Sequence, residues 1–361
     1  MPLIWCAISA HGFGHAAQII PVLNEVHRRV AGLTVILRTQ VPARFFEGRL
    51  HPPWELSRAE QDIGCVQHGP LHIDVRTTWT EYRRFHGSWQ ARVQQEAQIM
   101  ESRNPDLVLS DISYLALEAS AGLGIPGVGL CSLSWDKVVE PYVDRAQSAH
   151  LHIMDDIVQA YGKADSMIRP MPGLPMSAFR DVRDVGPIAD PLPSEAARVR
   201  HLAGALDNQR VVLIGFGGIA LTSLPFDRLA TMSEYRFIVS GPVPGNCKDV
   251  VSDSSIPLPF RTLLASVDVL MTKPGYSTIT EAVAAKIPLV YVRRYNFADE
   301  ATLVDYAHRY GRAVELSAHD FATGRWESVL KAAQDCPAPR DPAPSPTGAS
   351  EAADSLMAYL E

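Results

Sequence analysis

No apolar run in the 361-residue sequence reaches the roughly 18 residues of a membrane-spanning helix. The first residues carry neither a basic stretch nor a small-residue cleavage site, so a secretory signal is not expected. No C-x-x-C pair occurs among the five cysteines (Cys6, Cys65, Cys131, Cys247, Cys336), and an odd number leaves one out of any full pairing. Free thiols in a reducing cytoplasm are the simpler expectation. Positive charge is not in excess: 33 Lys and Arg stand against 40 Asp and Glu, a formal net charge of −7 that argues against a general nucleic-acid binder. A local basic pocket and peripheral membrane contact remain compatible with it. The Walker pattern G-x-x-x-x-G-K-[ST] and the dinucleotide pattern G-x-G-x-x-G are missing, as are H-E-x-x-H and G-x-S-x-G. These absences disfavour Walker-type ATP hydrolysis, dinucleotide binding, a zinc-protease site and a nucleophile-elbow hydrolase.

The composition, 47% hydrophobic and 20% charged, is that of a globular protein able to bury large cores. At this length two domains are expected, because single cores usually stop growing near about 250–300 residues. Short Val/Ile/Leu runs alternate with longer amphipathic segments, the pattern of a parallel sheet covered by helices on both faces. The first half reads as strands near 3–9, 33–38, 107–110 and 127–130, with helices near 15–30, 80–102, 113–123 and 145–162. The segment "RPMPGLPMSAFRDVRDVGPIADPLP", 169–193, is so rich in proline that neither a helix nor a central strand is expected through it, and it reads as a hinge. Alternation resumes with strands near 210–215, 236–239, 268–271 and 288–292, and helices near 261–266, 277–285, 299–310 and 325–334. The expected organisation is a first Rossmann-like domain over 1–168, the hinge, a second over 194–336, a proline-rich tether over 337–347, and a helix over 348–361 packing back on the body.

In the second domain "VDVLMT" runs into Lys273-Pro274-Gly275-Tyr276-Ser277-Thr278 and continues as "ITEAVAAKIP", a strand, a glycine-bearing turn and a helix. A helix start of this kind offers backbone N–H groups and a positive dipole end to a phosphate. Ser277 and Thr278 add hydroxyl donors and Lys273 a full charge. Glu281, one turn on, is placed to accept from ribose hydroxyls. The bland alternative, in which Ser277 caps the helix and Gly275 only makes the turn, is weakened by a second glycine cluster. In "VVLIGFGGIA" Gly215, Gly217 and Gly218 also follow a strand, at the carboxyl edge where doubly wound sheets put their ligands.

"KPGYSTITEA" resembles the donor-binding motif of GT-B glycosyltransferases, the UDP-sugar enzymes and the peptidoglycan N-acetylglucosaminyltransferase among them. Together with "HGFGHA", "SWD", "MSAFRDVRDV", "GFGG" and "PLVYVRR", it is closer still to the glycosyltransferase-like half of plant L-arabinokinases, over nearly the whole chain. The sugar-kinase half of those proteins has no counterpart here, so kinase activity does not carry over. The resemblance implies an α/β fold of two Rossmann-like doubly wound domains facing across a cleft. It also implies transfer of a hexosyl or pentosyl group from a nucleotide sugar, expected to be UDP-linked, to a hydroxyl acceptor that the sequence does not identify. Lys273, Thr278 and Glu281 take the family's phosphate- and ribose-binding positions. Asp299 and Glu300 stand where the family has an Asp-Gln pair on the donor sugar; Glu300 departs from it, since a carboxylate cannot donate as glutamine does.

By the same resemblance His15 takes the position of the catalytic histidine and Asp111, in "PDLVLSDIS", that of its acidic partner. An imidazole near its ordinary pKa suits removal of the acceptor hydroxyl's proton, and a carboxylate on the far ring nitrogen orients it. The alternatives are a core or capping histidine and an aspartate that caps the helix at 113. The glycines around His15 are expected to give the turn its backbone freedom, with Gly14 placed on the donor side. His11, Trp135 and Asp136 are assigned to the acceptor pocket, although a buried Trp is more often core. His11 and His15 have i, i+4 spacing, but no zinc site is expected there. No D-x-D motif occurs, so the leaving diphosphate is expected to be neutralised without metal or cofactor, by the helix start and Lys273, with Arg293 or Arg294 as further candidates. A UDP-sugar 2-epimerase and a noncatalytic nucleotide-sugar binder are the competing readings.

Overall fold

The structure, a computed structural model, describes residues 1–69, 71–190, 193–217, 224–245, 247 and 249–360. The chain divides into two compact units, one of residues 1–66, 73–188 and 346–361 and one of residues 67–72 and 189–345. No helix among the described residues is long and apolar enough to cross a membrane. All five cysteines are free.

The strands of the first half are β1 (Leu3–Ile8), β2 (Thr34–Arg38), β3 (Trp54–Ser57), β4 (Gln67–His68), β5 (His72–Ile73), β6 (Leu107–Asp111), β7 (Gly127–Leu130), β8 (Ser166–Pro170) and β9 (Val182–Val185). Seven of them make the sheet of the first unit, in the order β3-β2-β1-β6-β7-β8-β9, while β4 and β5 pair separately. The central strands β6 and β7 are buried along their whole length, as strands sandwiched between helices must be. The helices are α1 (Phe13–Arg29), α2 (Val75–His86), α3 (Trp89–Arg103), α4 (Tyr114–Leu123), α5 (Trp135–Val139) and α6 (Ser148–Tyr161). The register pairs Ile8 of β1 with Asp111 of β6, so these neighbouring parallel strands end level. The turns that follow both strands, and α1 and α4 after them, therefore open at the same edge of the sheet.

The second unit repeats the design with β10 (Arg210–Ile214), β11 (Tyr235–Val239), β12 (Val250–Ser252), β13 (Val269–Thr272), β14 (Leu289–Tyr291) and β15 (Ala313–Glu315), all parallel, in the order β12-β11-β10-β13-β14-β15. Successive side chains of a strand point to opposite faces, and the core divides accordingly. Val212, Ile214, Val269 and Met271 pack on one side with Phe237 and Trp326; Val211, Leu213 and Leu270 pack on the other with Ile279 and Tyr306. The helices are α7 (Ala196–Ala203), α8 (Phe226–Leu229), α9 (Phe260–Leu264), α10 (Tyr276–Ala284), α11 (Glu300–Tyr310), α12 (Ala318–Thr323) and α13 (Glu327–Asp335). The last helix, α14 (Gly348–Met357), belongs to the first unit, where it packs on α1 and buries Ala352, Ala353 and Leu356.

Two expectations are corrected and a third is sharpened. The helix read over 80–102 is two helices, α2 and α3, parted at Gly87 and Ser88. The stretch 169–193, read as a hinge with neither helix nor central strand, holds the last two residues of β8 and the edge strand β9. Proline stands at the last position of β8, and the charged residues of β9 are tolerated because that strand is the sheet's edge, with Arg169 Nε 2.6 Å from Asp184 Oδ1. Finally, neither Gly12 (φ −176°) nor Gly275 (φ −144°) uses glycine's special backbone freedom. A Cβ on Gly12 or Gly14 would meet nothing within 4 Å, so at these positions glycine keeps space open rather than relieving strain.

Candidate functional site

In the first unit the site is built at the shared edge of β1 and β6. His15 lies in the first turn of α1, and its Nδ1 is 3.1 Å from Asp111 Oδ1 at the end of β6. The Asp111 side chain has no exposed surface, whereas that of His15 keeps 10%. A buried carboxylate facing Nδ1 selects the tautomer with the proton on Nδ1, which leaves a lone pair on Nε2. Asp111 is not the helix cap: Ser113 takes that place, its Oγ accepting from the Ala116 N–H. Between them Ile112 sits at φ +61°, a left-handed conformation that β-branched residues rarely adopt. The Tyr161 hydroxyl donates to the Ile112 carbonyl at 3.0 Å and helps hold that turn, and with it the orientation of Asp111.

Trp135 is fully buried at the start of α5. Its ring lies 5.7 Å from the ring of His15 and 5.2 Å, edge-on, from that of His11. Asp136 is buried as well, and burial raises its carboxyl pKa. His11 Nδ1 accepts from the Cys65 N–H at 3.2 Å, and the two histidine rings are 6.3 Å apart.

The sequence reading missed Asp62. This buried carboxylate accepts from Ser9 Oγ at 2.9 Å and from Trp135 Nε1 at 3.0 Å, and so fixes the indole that lies against His15. Burial pushes its pKa up to about 7, against the lowering effect of the Trp135 hydrogen bond and the charge of His15. Asp62 lies in an irregular loop, where no periodicity or motif marks it. Cys131 was also missed as a neighbour: its Sγ is 3.9 Å from His15 Nδ1.

In the second unit the two glycine-bearing turns come together. Gly217 has φ +70°, a left-handed conformation that favours glycine, and a Cβ there would lie 3.6 Å from Lys273 Cε. Gly218 falls outside the described residues. Gly275, which has no side chain to cap with, precedes α10, and a Cβ on it would meet no atom closer than 3.9 Å. Tyr276, Ser277 and Thr278 form the first turn. Lys273 carries an ammonium whose pKa is pushed down to about 7, first by burial and then by Arg294; Asp299 and Glu300 act in the opposite sense. Glu281 is held by Arg261, Nε to Oε1 3.1 Å.

Glu300 is buried at the start of α11, and both its oxygens are engaged. Oε1 accepts from Arg293 Nε and from the Tyr295 N–H, each at 3.0 Å, and Oε2 accepts from the Arg294 N–H at 2.6 Å. Glutamine would bring an NH2 group against these donors, which gives a physical reason for glutamate here. Asp299 meets Arg294 at 3.3 Å, and the Arg294 guanidinium stacks 3.7 Å over Phe297. Both arginines are thus paired with acids at the start of α11, Arg293 with Glu300 and Arg294 with Asp299 just before it.

The fold is similar to that of plant glycosyltransferases of the GT-B class. Phytolacca americana UGT2, solved with UDP-2-fluoro-glucose and pterostilbene, matches with a TM-score of 0.61 at 15% identity, covering 100% of this chain and 94% of that one. Arabidopsis thaliana UGT89C1 with quercetin gives 0.62 at 14%, covering 99% of both chains. A Polygonum tinctorium UDP-glucosyltransferase capable of glucosylating indoxyl gives 0.56 at 14%, with 99% and 98% covered. The chain is therefore a GT-B-fold α/β protein with two Rossmann-like parallel sheets.

In sequence it is similar to the L-arabinokinase of Arabidopsis thaliana, 30% identical over 335 residues, which is 90% of this chain and 31% of that protein. The chain spans about a third of that relative's length. No family model matches.

Proposed function

We propose that the protein transfers a sugar from a UDP-linked donor to a hydroxyl acceptor without a metal, using His15 as the base. The observation that carries this reading is the His15–Asp111 pair: one imidazole nitrogen is engaged by a buried carboxylate at 3.1 Å, while the ring keeps part of its surface exposed. In the proposed reaction Nε2 takes the acceptor hydroxyl's proton as its oxygen attacks the anomeric carbon, and the sugar–phosphate bond breaks with its electron pair leaving on the diphosphate. Asp111 stabilises the imidazolium so formed. Trp135 and His11 wall the base, with Asp62 as the positioning residue behind the indole. The diphosphate is assigned to Lys273, Gly217, Gly275 and the first turn of α10, with Ser277 and Thr278 as hydroxyl donors and Glu281 on the ribose. Asp299 faces the sugar in this reading. Glu300 acts through the loop 293–295 that it holds, rather than by touching the donor.

Incubation with UDP-, GDP- and ADP-linked hexoses and pentoses, with and without phenolic and sugar acceptors and in excess EDTA, tests the proposal. UDP release that depends on the acceptor and is undiminished by the chelator is expected. Isomerised sugar without an acceptor would instead indicate an epimerase, binding without turnover a sensor, and loss of turnover in EDTA a metal-dependent reaction.

A further inference from the structure

We propose that His15, Asp111 and Cys131 form a binding site for a divalent metal of the zinc class, and that its occupancy switches the base off. Among the described residues these three side chains are the group whose donor atoms lie close enough together to hold such an ion, all within 4.8 Å of one another. A tetrahedral zinc site with ligands about 2.0–2.3 Å from the metal separates its donors by about 3.3–3.7 Å. Nδ1 to Oδ1 is 3.1 Å and Sγ to Nδ1 is 3.9 Å, each within a few tenths of an ångström of such an edge, and all three donor atoms lie within 4.8 Å of one another. The donor set, one imidazole, one carboxylate and one thiol, suits zinc or cobalt rather than magnesium or calcium.

A second observation points the same way. Asp111 Oδ2 is buried and has no close hydrogen bond among the described residues, and the group placed to donate to this carboxylate is the neighbouring Cys131 thiol, whose proton a metal between the two would replace. Binding an M²⁺ ion releases the thiol proton to solvent, and the pocket then holds the metal, one thiolate, one carboxylate and a neutral imidazole. These charges sum to zero, the state favoured in a buried site. The three protein ligands leave a fourth position for water.

The inhibition follows from the tautomer and rests on the reading of His15 given above. A metal on Nδ1 moves the ring proton to Nε2. The lone pair that would take the acceptor's proton becomes an N–H, and the hydrogen bond to Asp111 is lost.

The site and its consequence are read separately. Titrating the full chain with Co²⁺ is expected to give one equivalent bound, with the intense visible bands of tetrahedral cobalt and a thiolate-to-cobalt charge-transfer band. Cys131→Ser should remove the charge-transfer band and weaken binding by about tenfold or more. The double variant Cys247→Ser/Cys336→Ser, which replaces the two partly exposed thiols, should retain both. A band that persists in Cys131→Ser, or no stoichiometric uptake by the folded wild type, overturns the site. Should Cys131→Ser fail to fold, the same bands lost in His15→Gln carry the test. Zn²⁺ should then inhibit the wild type relative to its own rate in chelator, and inhibit Cys131→Ser at least about tenfold less sensitively. Cobalt bound through Cys131 with undiminished turnover would overturn the switch while leaving the site. Cobalt binding in a protein without transferase activity would count against the proposed function alone.

Discussion

Replacing His15 by glutamine is expected to lower acceptor-dependent UDP release by about 10²- to 10⁴-fold, the range a positioned general base supplies. The loss should fall on kcat, because the base interacts with the acceptor's proton as the new bond forms and adds little to ground-state binding. UDP affinity is expected to stay within about twofold. Glutamine preserves the polar character and approximate size of a side chain that is mostly buried, so the variant should fold. Asp111→Asn leaves the geometry but offers an amide in place of the charge that stabilises the imidazolium, and the same range of loss is expected. The double variant should be little slower than either single one, since base and orienter act as a unit. Initial rates at saturating donor and acceptor, with melting curves of each variant, decide the matter. Turnover retained in His15→Gln would remove this residue from the mechanism.

The second large effect belongs to Lys273. A lysine whose pKa burial has pulled down to about 7 is partly a neutral amine near neutral pH and is poised to gain a proton when an anion arrives, because the diphosphate favours the charged form. Lys273→Met is expected to weaken UDP binding by about 10- to 100-fold, the equivalent of one charge-assisted hydrogen bond. It should lower kcat by a further factor of about 10²–10³ through loss of a donor to the leaving group. The pH dependence has a definite sign. Below about pH 7 Lys273 is already charged in the free protein, whereas above it binding must also take up a proton. UDP affinity of the wild type should therefore fall as pH rises from about 7.5 to 8.5, a window in which the terminal phosphate is already ionised. Calorimetry in buffers of different ionisation enthalpy should register the proton uptake, and Lys273→Met should show neither effect. A pH-independent affinity in the wild type would place Lys273 outside the phosphate site.

Most of the fold was legible because it is written as uninterrupted apolar strands. Val211 to Ile214 and Val269 to Met271 send alternate side chains into two separate cores, which only a sheet covered on both faces can satisfy. Elements whose stability comes from context were not legible. Strand β9 contains Arg183 and Asp184 and exists as an edge to β8, and the short β3 and β12 likewise lie at the ends of their sheets. In the candidate site, Lys273 and the glycines were singled out because they follow apolar strands, and His15 and Asp111 took their proposed roles from the family resemblance, near the ends of β1 and β6. Asp62 and Cys131 could not be found in either way. The first is brought to Trp135 by a long irregular loop, and the second is a cysteine after β7 whose meaning lies in its distance to His15. Glu300 was assigned a role from the family resemblance, where it stands in place of a glutamine, and its hydrogen bonds to the 293–295 loop became visible only in three dimensions.

The central claim is that a nucleoside diphosphate rests at Lys273 and the first turn of α10. Calorimetric titration of the full chain with UDP at neutral pH tests it most directly. One equivalent bound with micromolar affinity in the presence of EDTA is the predicted result, and heats no larger than dilution for UDP, GDP and ADP alike would contradict it.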